Sequence, residues 1–161
     1  MLRQLVFMTA IVIASANVLA AQTNVDLGGL TVDTTAPIEV TADSLAIDQD
    51  TGRAIFDGNV IIGQGDLRIT AGNVAVVYGS DTSEIAELIA SGGVTFVTAT
   101  EAAEAQEARY DITTGILTLT GDVLLTQGAS AISAGSMVIN VTTGTASMEG
   151  RVRTVLQQGD N

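Results

Sequence analysis

The sequence predicts an all-β fold: a stack of antiparallel rungs in four repeats of about thirty residues, each bent back on itself around an apolar inside. Three observations carry this. The first is a self-match. Gly58–Tyr78 (GNVIIGQGDLRITAGNVAVVY) returns 63 residues later as Gly121–Val141 (GDVLLTQGASAISAGSMVINV), and the alignment extends without a gap from Ala42–Tyr78 onto Ala105–Val141. Within it the period halves. A Gly-x-Val step recurs at Gly58, Gly92, Gly121 and Gly150, at spacings of 34, 29 and 29 residues. An Ala opening a strand-like run recurs at Ala42, Ala71, Ala105 and Ala134. The second observation is period-two hydrophobic alternation, the mark of a sheet with one face buried and one wet. The third is that this alternation changes phase beside glycines. A one-residue slip turns every side chain to the other face, so each slip must be absorbed by a bulge or corner.

Composition narrows the chemistry. The 161 residues suit one domain, and a net charge of −12 excludes a nucleic-acid partner, whose phosphates need a basic surface. There is no Cys and no His, which removes thiol and Ser-His-Asp chemistry and the commonest metal ligand. The basic residues are all arginines.

Taken in order, residues 1–21 begin with Arg3, continue through an apolar Leu5–Ala16 and end on Val18-Leu19-Ala20, the pattern of a signal peptide cleaved after Ala20 or Ala21. The alternative is a retained membrane anchor, but the apolar run is shorter than the ~20 residues that a spanning helix needs. Export places the mature chain in the periplasm or beyond. Residues 22–36 are polar and aperiodic, and are expected to form a flexible leader. Pro37 then opens the first strand, a position that tolerates its missing donor.

Ile38, Val40 and Ala42 point inward, followed after a slip by Leu45 and Ile47. Asp48–Gly52 reads as a turn. Ala54, Phe56, Val60 and Ile62 share the next inward face. Leu67 and Ile69 follow Gly63-Gln64-Gly65, and Val74, Val76 and Tyr78 follow Gly72. The second unit ends with Leu88, Ala90, Val94 and Phe96 inward. Residues 99–109 (ATEAAEAQEAR) favour a helix by propensity, yet the self-match assigns Ala105–Tyr110 to a strand, and the repeat is preferred. Leu117, Leu119, Val123 and Leu125 continue the inward face. Met137, Ile139, Val141, Ala146, Met148 and Val152 complete it, and residues 157–161 form a disordered tail.

Nothing in this pattern is catalytic. Asp48, Asp50 and Asp111 could be imagined as calcium ligands, but Asp capping its own turn explains them better. What remains is the inside, either an ordinary core or, if the two sheets splay, a groove for lipid chains. Periodicity alone favours the ordinary core.

Pro37–Asp43 (PIEVTAD), Phe56–Tyr78, Leu117–Gly128 (LTLTGDVLLTQG) and Arg151–Leu156 (RVRTVL) together resemble the OstA-like (LptA) family of periplasmic lipopolysaccharide-transport proteins. The likeness runs across the mature chain in order. It implies an open, V-shaped β-jellyroll over residues 37–156 that shields the acyl chains of lipid A and uses no cofactor. It further implies an LptC-like inner-membrane partner, an LptD-like outer-membrane receiver and head-to-tail association of copies. On that reading the groove is lined by Ile38, Val40, Leu45, Ile47, Phe56, Val60, Ile62, Leu67, Ile69, Val74, Val76, Phe96, Leu117, Leu119, Val123, Met137 and Ile139. The edges that join copies would be Pro37, Ile38 and Val40 at one end, and Val152, Val155 and Leu156 at the other. An unclosed stack leaves such edges bare, and strand addition is their cheap use. The acidity departs from what a phosphorylated glycolipid suggests, so headgroups are expected to stay outside, bridged by divalent cations. Two rivals carry different expectations: an LptC-like protein would keep its N-terminal anchor, and a structural β-solenoid or adhesin would keep a filled interior.

Overall fold

The computed structural model describes residues 23–26, 33, 35–48, 50–80 and 84–156. The expected signal peptide (1–21) and tail (157–161) lie outside these residues. All of the described regular structure is β: β1 Thr23–Asp26, β2 Glu39–Thr41, β3 Ser44–Asp48, β4 Arg53–Gln64, β5 Leu67–Tyr78, β6 Ile85–Val97, β7 Glu101–Asp111, β8 Ile116–Gln127, β9 Ser130–Asn140, β10 Thr145–Glu149 and β11 Arg153–Val155. Pairing is antiparallel in the order β1-β10-β9-β8-β7-β6-β5-β4-β2, with β3 also on β4 and β11 also on β9. The sheet does not close, as the sequence predicts.

Each long strand is broken near its middle, and the β5–β6 ladder shifts a second time between Val77 and Tyr78. Register shifts fall between Asp57 and Val60, Thr70 and Asn73, Ser91 and Val94, Glu104 and Glu107, and Thr120 and Val123. The breaks divide the sheet into two leaves. The first holds β3, the N-terminal half of β4, the matching halves of β5 to β9, then β10 and β1. The second holds β2, the C-terminal half of β4, the remaining halves of β5 to β9, and β11.

The Gly-x-Val step is the corner between the leaves. Two successive residues take positive φ at Gly58-Asn59 (81° and 46°), Gly92-Gly93 (80° and 81°), Gly121-Asp122 (83° and 48°) and Gly150-Arg151 (80° and 50°). Glycine accepts this conformation freely, and Asn and Asp tolerate it better than other residues. The residue that follows is the first to face inward in the second leaf: Val60, Val94 and Val123 are buried, and Val152 packs half-buried on the core. Gly92 is needed for a second reason, since a Cβ there would stand 3.3 Å from the Cα of Gly72.

The turns also follow the sequence. The Asp48 carboxylate accepts backbone N–H groups of Asp50 (2.9 Å) and Thr51 (3.2 Å), and Asp111 accepts that of Thr114 (3.0 Å). Asn140 plays the same part for Thr142 and Thr143, at 3.0 Å each, in a third copy that a search for paired aspartates passes over. Carboxylates that satisfy turn amides in this way are structural.

Two expectations about the backbone meet the structure differently. The Ala/Glu segment is strand β7, laddered to β6 and β8 on both sides, so its tertiary setting overrides helix propensity as the repeat requires. The leader was expected to lack structure, yet residues 23–26 form β1 on the outer edge of β10. Without it β10 would present a bare edge of backbone donors and acceptors.

Candidate functional site

The inside is built from alternate residues of both leaves. From the second leaf come Val60, Ile62, Leu67, Ile69, Phe96 and Val123; from the first, Val74, Val76, Leu117, Leu119, Met137 and Ile139. All twelve belong to the predicted groove, and none is more than 2% exposed. Ile38, Val40 and Phe56 are half-buried and pack against the same cluster. The predicted set is thus one contiguous apolar surface, drawn from both leaves and filled by its own side chains.

Leu45 and Ile47 correct the expectation in part. Register places Leu45 opposite Phe56 and Ile47 opposite Ala54, so both are on the inner face as predicted. They are nevertheless 52% and 70% exposed. They sit on β3, the last strand of its leaf, with only the three-residue β2 at that end of the other leaf, so among the described residues no strand fully covers them. Tyr78 was also expected inward and is 42% exposed at the end of β5, where the β5–β6 register slips between Val77 and Tyr78. At the far end Val155 and Leu156 are exposed and Val152 is half-buried, while Pro37 is exposed ahead of β2.

The margins away from the corners are polar, a feature the sequence reading did not assign. Gln64 ends β4 and Gln127 ends β8, at equivalent places in the repeat, and Glu101 opens β7. Gln64 and Glu101 are buried. Tyr110 of the first leaf donates its hydroxyl to Gln64 Oε1 of the second (3.1 Å), and Gln64 Nε2 donates to the Ala36 carbonyl (3.1 Å). β4 and β7 are not sheet neighbours, so the Tyr110–Gln64 bond ties leaf to leaf across the open side. The recurrence of Gln64 as Gln127 was the available signal; a glutamine is not ordinarily read as inward.

Glu101 accepts hydrogen bonds from Thr98 Oγ1 and Thr100 Oγ1, both 2.6 Å, and from Gln127 Nε2 (3.3 Å). Burial pushes its carboxyl pKa up, but the bonds from Thr100, Thr98 and Gln127 together outweigh burial and hold it below the ordinary value. A depressed folded pKa contributes stability that is present above the unfolded value of about 4.3 and is lost as pH falls through the folded one. Glu101→Gln is therefore expected to cost about 1 kcal/mol near pH 7, with the difference from the parent shrinking once the pH passes below the carboxylate range. Thermal unfolding across pH checks it; an unchanged difference at low pH would refute the charged-acceptor role.

Among the described residues the arginines give no concentrated anion site. Arg109 donates to Glu87 Oε2 (3.1 Å) on the outer surface, and Arg68 Nη1 lies against the Leu67 carbonyl (3.3 Å). Arg151 and Arg153 stand exposed at the β11 end.

Residues 39–145 match the family model described as LptA/(LptD N-terminal domain) LPS transport protein. An uncharacterised protein of Rhizobium meliloti is 31% identical over 155 residues, covering 89% of this chain and 83% of its own length. Among solved structures, LptH of Pseudomonas aeruginosa superposes with a TM-score of 0.69 at 19% identity, over 79% of this chain and 99% of that one. LptH is described as the LptA-homologous periplasmic component of the conserved lipopolysaccharide transport device.

Proposed function

Because the chain belongs to the LptA/(LptD N-terminal domain) family of lipopolysaccharide-transport proteins, we propose that it serves in the periplasm as a bridge, holding the acyl chains of lipid A between its two leaves. The observation that carries this reading is the continuous apolar surface running from Phe56 and Val60 in β4 to Ile139 in β9, hinged at the corners and tied opposite them by Tyr110 and Gln64. Acyl chains would enter where the leaves part along the polar margin, displacing side-chain contacts with contacts of equal oiliness. Each buried CH₂ contributes about 0.8 kcal/mol, so a multi-chain lipid cannot cross water bare, yet it passes readily between similar surroundings.

Such transfer needs no catalytic group, and none is assigned: the chain acts as a carrier, with the driving work done elsewhere. Residues 1–21 would direct export and be removed after Ala20 or Ala21, leaving 37–156 as the lipid-binding jellyroll. Lipid would arrive from an LptC-like partner and leave to an LptD-like receiver, with copies joined through the β2–β3 end of one and the β11 end of another. The purified chain, mixed with lipopolysaccharide and passed through a size-exclusion column without detergent, is expected to elute carrying lipid. Elution as lipid-free protein, with LptH loading under the same conditions, would refute the proposal.

A further inference from the structure

We propose that the Tyr110–Gln64 bond is a latch: it holds the leaves together along the open side of the lipid-free protein, and it must part before an acyl chain enters. An inward row of the first leaf, close to the open side, places Ala54, Val76 and Leu88 on one side of Tyr110 and Leu117, Ile139 and Ala146 on the other. Those six are hydrocarbon side chains, each at most 4% exposed, and Tyr110 alone among the seven carries a polar side-chain atom. The margin of the second leaf is polar by contrast, with Gln64 closing β4 and Glu101 and Gln127 further along. Gln64 is held from behind. Its Nε2 donates to the Ala36 carbonyl (3.1 Å), which leaves Oε1 turned to the Tyr110 hydroxyl (3.1 Å). Burial pushes the Tyr110 phenol above its ordinary pKa, so the hydroxyl remains a donor at neutral pH.

Ladder bonds join neighbouring strands within each leaf, so parting the leaves along the open side breaks none of them. The other side stays hinged at the corners. What parting does break is Tyr110–Gln64. β7 and β4 stand three positions apart in the sheet order, so this bond braces the leaves diagonally. A neutral hydrogen bond exchanged for water shifts an equilibrium only severalfold, enough to bias the seam shut and too little to seal it. The part of the latch in loading rests on the carriage of acyl chains proposed for this chain; its hold on the seam does not.

The chain has no Cys, so one introduced thiol reports opening cleanly. Val76→Cys places it in the Tyr110 row, and Val123→Cys places it beside a corner; both sites are 1% exposed. In the lipid-free chain, adding Tyr110→Phe removes the hydroxyl and keeps the ring. Maleimide labelling is then expected to run about fivefold faster at the first thiol, with the second unchanged within about twofold. Gln64→Leu should act alike, and the two together no more than either alone. Equal acceleration at both thiols, no acceleration at either, or additive effects of the two replacements would overturn the latch. With lipopolysaccharide supplied, Tyr110→Phe is expected to load about fivefold faster than the parent; equal rates would overturn the part in loading. If neither chain takes up lipid, carriage itself fails, and the thiol contrast still decides whether the latch holds the seam.

Discussion

Phe96→Ala is expected to lower the unfolding free energy by about 3–5 kcal/mol. Phe96 is the largest of the fully buried side chains, in the middle of the second leaf. Its strand neighbours on the inner face are Ile69 on β5 and Ala103 on β7. An alanine on one side cannot swell into the space a lost ring leaves, and a close-packed inside relaxes only partly, so the cavity adds to the lost transfer energy. Leu45→Ala should differ little from the parent, because Leu45 is half exposed on a terminal strand. Urea unfolding of both variants checks the contrast. Near-equal losses would mean that the inside is loosely filled from end to end.

Much of this architecture was legible because the fold is written in two short-range signals. Alternation gives the face, and the recurring Gly-x-Val step marks the corners, although the inward phase runs unbroken through it; the backbone takes paired positive φ values there, at Gly58-Asn59, Gly92-Gly93, Gly121-Asp122 and Gly150-Arg151. The inward residues of β4, β5 and β8 follow directly. β7 shows the repeat outranking local preference: its alanines are helix formers, yet Ala103 and Ala108 are buried in a strand laddered on both sides.

The remainder depended on distance in space rather than in sequence. Period two places Leu45 and Ile47 on the inner face but cannot tell that β3 ends its leaf, which is what exposes them. The leader carries no alternation of its own, and β1 forms because the edge of β10 is available to a segment more than a hundred residues away. Gln64 and Tyr110 meet across 46 residues and two leaves, and neither residue type announces an inward polar tie. Interior packing hid the last distinction: twelve predicted lining residues are as buried as any ordinary core. Burial alone does not separate a core from a groove that opens along its margin.

The claim on which the account turns is that acyl chains enter between the leaves. Phe56 and Ile61 decide it, because they lie on the same strand with opposite facings. Phe56 is half-buried and packs against the inner cluster, while Ile61 is 45% exposed on the outer surface. A photoreactive benzophenone side chain at Phe56, irradiated in cells making lipopolysaccharide, is predicted to capture lipopolysaccharide covalently; the same group at Ile61 is predicted to capture none. Capture of protein alone at Phe56, or equal capture of lipid at both positions, would contradict the account.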